Sequence, residues 1–78
     1  LIYMEIQDFI AKFAEQFDET NVDKFFASTK FRELDEWSSL MALSIIAMVD
    51  EEYDVTLKGD DMRQAETIEE LFNIVRGK

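Results

Sequence analysis

Seventy-eight residues suffice for one small domain, marginal in stability because so short a chain buries only a modest fraction of its surface. The chain has no cysteine, which rules out disulfides and fits a reducing compartment; with no histidine either, Ser-His and Cys-His catalysis and an ordinary zinc site are excluded. Eighteen acidic against eight basic side chains give a net charge of −10, a surface that repels nucleic-acid phosphates and anionic lipid and attracts basic protein surfaces.

The hydrophobic content, 47%, is too high for a disordered acidic tail. No apolar run approaches the roughly 18 residues of a membrane span, so no membrane insertion is expected, and a cytoplasmic monomer is the expectation. Leu1-Ile2-Tyr3 is too short and uncharged for a signal peptide. Met4 is a candidate natural start, which would leave residues 1–3 as a cloning remnant of a single domain spanning 1–78.

Ile6, Phe9, Ile10, Phe13 and Phe17 fall on one stripe of a helix, with Gln7, Asp8, Lys12, Glu15 and Gln16 outside it. The spacing predicts a helix from about Met4 to Phe17, its phenylalanines in the core. Asp18 to Trp37 has no sustained period and is rich in turn and cap formers. A connection this long is unusual in a compact domain unless it is functional or packs its own side chains. Val22, Phe25, Phe26, Phe31, Leu34 and Trp37 are spread along it, so it is expected to lie across the helices and bury several of them. Asp23–Ala27 is expected to form a helical turn.

A central helix follows, to about Asp54. Ala42, Ile45, Ile46, Val49 and Tyr53 make its inward stripe, and Ser44, Glu51 and Asp54 lie away from it at 100° per residue. Leu40 and Ala47 fall on that outer side too, with Met41 and Met48 along one flank. Two readings of this outer apolar strip stand: the Asp18–Trp37 connection covers part of it, or it is a docking surface with methionine as adaptable packing. In the connection from Val55 to Glu66, Gly59 is the expected positive-φ position and Asp60–Arg63 a short helix. Thr67-Ile68-Glu69-Glu70 reads as a capping box. Ile68, Leu71, Phe72 and Val75 give the buried stripe of a last helix reaching about Val75, with Arg76 and Lys78 suited to its negative end. These elements predict an all-α bundle of three main helices plus one or two short ones.

The acids are dense enough to be a solvated face, and a calcium loop starting at Asp50 fails because Val55 and Asp61 stand where glycine and glutamate are required. Chemistry therefore narrows to two serines. Ser38 is placed to cap the central helix, which makes Ser39 its first residue; on the pattern alone the plainer reading is that Ser39 is exposed and of no consequence, because serines before helices are common. A phosphate ester on Ser39 would sit beside unpaired N–H groups at the positive end of the helix dipole, typically worth about 0.3–1 kcal/mol at an exposed site.

At this stretch the chain resembles the acyl carrier protein family, in which an Asp-Ser-Leu motif opens the second helix and its serine bears 4′-phosphopantetheine. Ser38-Ser39-Leu40 stands at the motif. Val49-Asp50-Glu51-Glu52-Tyr53-Asp54-Val55 looks like the family's acidic helix end, at the matching distance. Thr29–Trp37 is similar to the approach to the motif, and Thr67–Leu71 to the start of the last helix, so the resemblance covers nearly the whole chain. It implies an acyl-carrier-type four-helix bundle with a long first loop and a short third helix. It implies 4′-phosphopantetheine, taken from coenzyme A, on Ser39, with the reactive thiol on that arm, and an apolar interior that receives part of an attached acyl chain. It further implies a non-catalytic carrier of acyl thioesters for fatty acid, lipid or polyketide-type synthesis. Its partners would be a phosphopantetheinyl transferase and acyl-transferring or acyl-modifying enzymes with basic docking surfaces. Leu40, Met41, Ala47 and Met48 would offer those enzymes apolar contacts, and Asp35, Glu36, Asp50, Glu51 and Asp54 charge.

The chain departs from the family at three places. Ser38 replaces the usual aspartate before the modified serine, and Met41 and Ser44 replace acids two and five residues after it. The docking face is thus less acidic near Ser39 and more apolar, which points to partners other than the general fatty-acid enzymes. The alternative is an interaction module of the same fold that is not phosphopantetheinylated; an acidic enzyme subunit is a more distant one.

Overall fold

A computed structural model describes residues 5–78. Helices run over Ile6–Ala14 (α1), Ser39–Tyr53 (α2), Gly59–Gln64 (α3) and Ile68–Arg76 (α4), with single 3-10 turns at Val22–Lys24 and Phe31–Glu33. The described residues contain no strand, only an isolated bridge between Lys30 and Thr67. The architecture is all-α, as the periodicity predicts. The expected helix start at Met4 and the remnant reading of residues 1–3 lie outside the described residues.

Phe9, Ile10 and Phe13 are buried on one face of α1 as their spacing requires. The helix ends at Ala14 rather than at Phe17. There Gln16 and Phe17 donate their N–H groups to Phe13 O and Ala14 O (3.2 and 3.0 Å), three residues back, which tightens the last turn. Phe17 still reaches the core.

The connection to α2 packs across the helices, and aromatic rings carry the packing. Phe13 lies within 5.6–6.3 Å, centroid to centroid, of Phe9, Phe17, Phe25 and Phe31. Phe31 continues to Trp37 at 5.0 Å, and Phe9 to Phe72 at 5.5 Å and Tyr53 at 6.0 Å. Such tilted or stacked pairs are worth about 0.5–1.5 kcal/mol each beyond the area they bury. The interior is thus filled by interleaved rings drawn from α1, α2, α4 and the connection. Val22 and Phe26 face solvent instead. The expected turn at Asp23–Ala27 is shorter and begins one residue earlier, at Val22. Thr29 fastens it: its hydroxyl accepts from Phe26 N and donates to Lys24 O.

The same connection completes the start of α4. Ile68 N donates to Thr29 O and Glu69 N to Ala27 O, while Glu70 N donates to the Thr67 hydroxyl. The Glu70 carboxylate accepts in return from Thr67 N, so the predicted capping box is present. The first three N–H groups of the helix, which have no partner within it, are therefore all satisfied, two of them by a distant segment.

At the end of α2 the left-handed residue is Asp54 (φ 56°), which closes the helix through Asp54 N to Asp50 O. The expected positive φ at Gly59 is overturned: Gly59 is the first residue of α3 and has ordinary helical handedness. The chain reverses at the helix C-terminus, where the αL conformation satisfies the last carbonyls and aspartate tolerates it better than most residues. Asp61 opens α3 by accepting from Lys58 N (2.9 Å) and pairs with Lys78 (3.1 Å), tying the chain end to this short helix. At the far end of α3, Arg32 donates one Nη1 to both Met62 O and Ala65 O (2.7 and 2.6 Å). A side chain from the first connection thereby satisfies the carbonyls that α3 leaves open. The helix pairs α1–α2, α1–α4 and α3–α4 enclose one hydrophobic cluster. The radius of gyration is 11.3 Å, beside about 11.5 Å for a compact chain of this length.

Candidate functional site

Ser38 is fully extended (φ −160°, ψ 171°), and its hydroxyl accepts from Met41 N at 3.1 Å. That is an N-cap, and it leaves Ser39 as the first helical residue, exposed, with its hydroxyl in no hydrogen bond among the described residues. The two serines are therefore not equivalent. One hydroxyl is committed to the backbone and the other is free at the positive end of a fifteen-residue helix. The first turn of α2 holds no acidic residue.

Ser39 borders an open groove of about 440 Å³ between α2 and α3. Trp37, Ala42, Leu43 and Ile46 supply its apolar wall on the α2 side, and Met62 faces them from α3. Arg32 and Arg63 also line it. Arg32 lies on the Phe31 ring (5.3 Å), held by its two carbonyl bonds, and Arg63 pairs with Asp60 on its own helix.

The residues expected to dock partners divide. Leu40 is 74% exposed and Ala47 is exposed; Met41 is half-buried. Met48 is a correction: it is 5% exposed and belongs to the core, because the buried face of α2 is rotated from the predicted stripe and takes in Ile45, Met48, Val49 and Tyr53, leaving Ala42 and Ile46 half-buried along the groove. Leu43, which the sequence reading did not single out, takes its place on the surface at 62% exposure. Its distance of three residues from Leu40 puts the two leucines one turn apart, a signal present in the sequence. Thus the connection leaves Leu40 and Leu43 uncovered, although its own rings fill the interior.

Asp35, Asp50, Glu51 and Asp54 are exposed, as a docking role requires. Glu36 is half-exposed and has a structural task as well. Its carboxylate accepts from the Thr20 hydroxyl (2.7 Å) and from Asp18 N and Glu19 N (both 3.1 Å), so it pins the start of the connection to the approach to α2. These bonds, the Thr20 hydroxyl foremost, hold its pKa below the ordinary carboxylate value of 4.5. On the core side, the Tyr53 hydroxyl is buried without a hydrogen-bond partner among the described residues, and burial pushes its pKa up, reinforced by the charges of Asp8 and Glu52. No set of three or more metal-ligating side chains gathers among the described residues, the acid-rich end of α2 included. No helix there is long and apolar enough to cross a membrane.

No family model matches this chain, and neither does any curated protein or solved structure.

Proposed function

We propose that this protein is a carrier of acyl-carrier type, with Ser39 as the attachment point of 4′-phosphopantetheine. The observation that carries the reading is the division between the serines: Ser38 caps α2, while Ser39 keeps a free, exposed hydroxyl on an apolar groove. The spacing from Ser39 to the acidic end of α2 supports it from the sequence side. The arm, when bound, supplies a thiol that holds acyl groups as thioesters. The chain's own part is to present the attachment point and be recognised. Leu40 and Leu43 offer desolvatable contacts, with Met41 and Ala47 beside them, and Asp35, Asp50, Glu51 and Asp54 draw basic surfaces by long-range attraction. The partners are a phosphopantetheinyl transferase and acyl-handling enzymes, and the setting is cytoplasmic.

The test is to incubate the protein with coenzyme A and broad-specificity phosphopantetheinyl transferases, including one from the source organism, and to weigh it. A mass gain that is lost in Ser39→Ala and kept in Ser38→Ala supports the carrier; no gain with any transferase sinks it. A second reading, an interaction module of this fold without a prosthetic group, is favoured by Ser38 in place of an acid and by the large exposure of Leu40 and Leu43. Tight binding of a basic partner by the unmodified protein, abolished in Leu40→Ser/Leu43→Ser, would single it out.

A further inference from the structure

In a chain with a net charge of −10, two of the eight basic residues line the same groove as Ser39, and no carboxylate is among that groove's lining residues. We propose that Arg32 and Arg63 make this groove an anion subsite that holds a phosphate esterified to Ser39. The inference rests on the carrier reading for its ligand and on the groove for its geometry.

The two arginines act differently. Arg32 is a fixed charge. Its Nη1 is bound by two backbone carbonyls and its plane rests on Phe31, yet it has no carboxylate partner among the described residues. It therefore contributes an uncompensated positive field to the groove, and its remaining N–H groups are in no other hydrogen bond there.

Arg63 is the exchangeable partner. Its ion pair with Asp60 is one turn long, and both side chains are largely exposed (73% and 78%), the setting in which a pair contributes little. The Asp60 carboxylate meets the guanidinium through one oxygen only, whereas a phosphate in the groove can engage its fork with two.

The residues around Ser39 remove the competition. Ser38, Met41 and Ser44 put no carboxylate beside the hydroxyl, so nothing on α2's first turn repels the phosphate or draws Arg63 away. The absence of an aspartate at position 38 and the presence of arginine in the groove are then two halves of one arrangement. A phosphate held here lays the first bonds of the arm against Trp37, Leu43 and Met62 rather than leaving them in free solution.

The experiment needs no transferase. Phosphoserine is installed at position 39 by genetic encoding, and its second ionisation is followed by phosphorus NMR against pH. An unperturbed phosphoserine titrates at about 6. Facing a guanidinium it should titrate about 1 unit lower, because a nearby positive charge favours the dianion. Arg63→Gln should return most of the shift, and Ser38→Asp should raise the midpoint. Arg76→Gln, on α4 and outside the groove, should leave it in place, and added salt should shrink the shift. Arg63 is exposed, so its variant is expected to fold, which a thermal melt checks. A midpoint near 6 in the parent, or a lowered midpoint that Arg63→Gln does not move, overturns the subsite. That result would leave the carrier reading standing, whereas failure of the mass test would remove the carrier and leave the titration to decide on the anion subsite.

Discussion

Replacing Ser38 by alanine tests the central geometric claim, that the two serines have separate tasks. The substitution deletes the acceptor for Met41 N, a 3.1 Å bond at the start of the longest helix in the chain. Loss of such a cap costs about 1 kcal/mol, within a range of about 0.5–2, and the exposure of this turn puts it toward the lower half. For a domain of this size that is a fall in Tm of about 4–8 °C per kcal/mol. Ser38→Gly should lose only a few tenths of a kcal/mol. Ser38→Asp should keep the cap and gain about 0.3–1 kcal/mol from the helix dipole. Ser39→Ala should stay within about 0.5 kcal/mol, since its hydroxyl bonds nothing among the described residues and alanine is the better helix former. The assay is urea unfolding followed by far-ultraviolet circular dichroism on all four variants, with equal m-values required before midpoints are compared. A Ser39→Ala variant that loses as much stability as Ser38→Ala would refute the assignment of cap and free hydroxyl.

Three further outcomes are expected. Arg32→Met removes both donors to Met62 O and Ala65 O and should destabilise by about 2 kcal/mol, with amide exchange quickening in α3 before α1; unchanged exchange there would contradict the capping role. Phe25→Ala should cost about 3–5 kcal/mol and Phe26→Ala less than about 0.5, a contrast between adjacent phenylalanines that equilibrium melts read directly. Glu36 has a depressed folded-state pKa, so its contribution is present above the unfolded value near 4.5 and is lost as pH falls through the lower folded value. The Tm difference between the parent and Glu36→Gln should accordingly be largest near neutral pH and close in acid, and a difference that grows in acid would reverse the sign.

Which elements were legible in the sequence depended on how local their causes are. The phenylalanine stripe of α1, the Thr67–Glu70 box and the Ile68–Val75 stripe are set by neighbours three and four residues apart, and the structure reproduces them. The cap at Ser38 was legible for the same reason. The end of α1, the position of the left-handed residue, the bounds of the first 3-10 turn and the existence of the second were not, because competing backbone partners three or four residues away differ little in free energy until packing chooses between them. On the outer side of α2, periodicity placed Leu40 correctly but sent Met48 to the surface. The helix is apolar nearly all round, so its pattern does not say which flank α1 and the connection will cover.

Composition and spacing alone determined that this is a small, acidic, helical chain without thiol or imidazole chemistry, and that one of two adjacent serines caps the central helix. Only the tertiary structure decided which rings of the long connection enter the core and which face solvent, that its carbonyls and Arg32 complete two distant helices, that Glu36 pins the start of the connection, and that two arginines share a groove with Ser39. Each of these joins residues far apart in sequence, and their meeting is fixed by burial of the whole ring cluster rather than by any local preference.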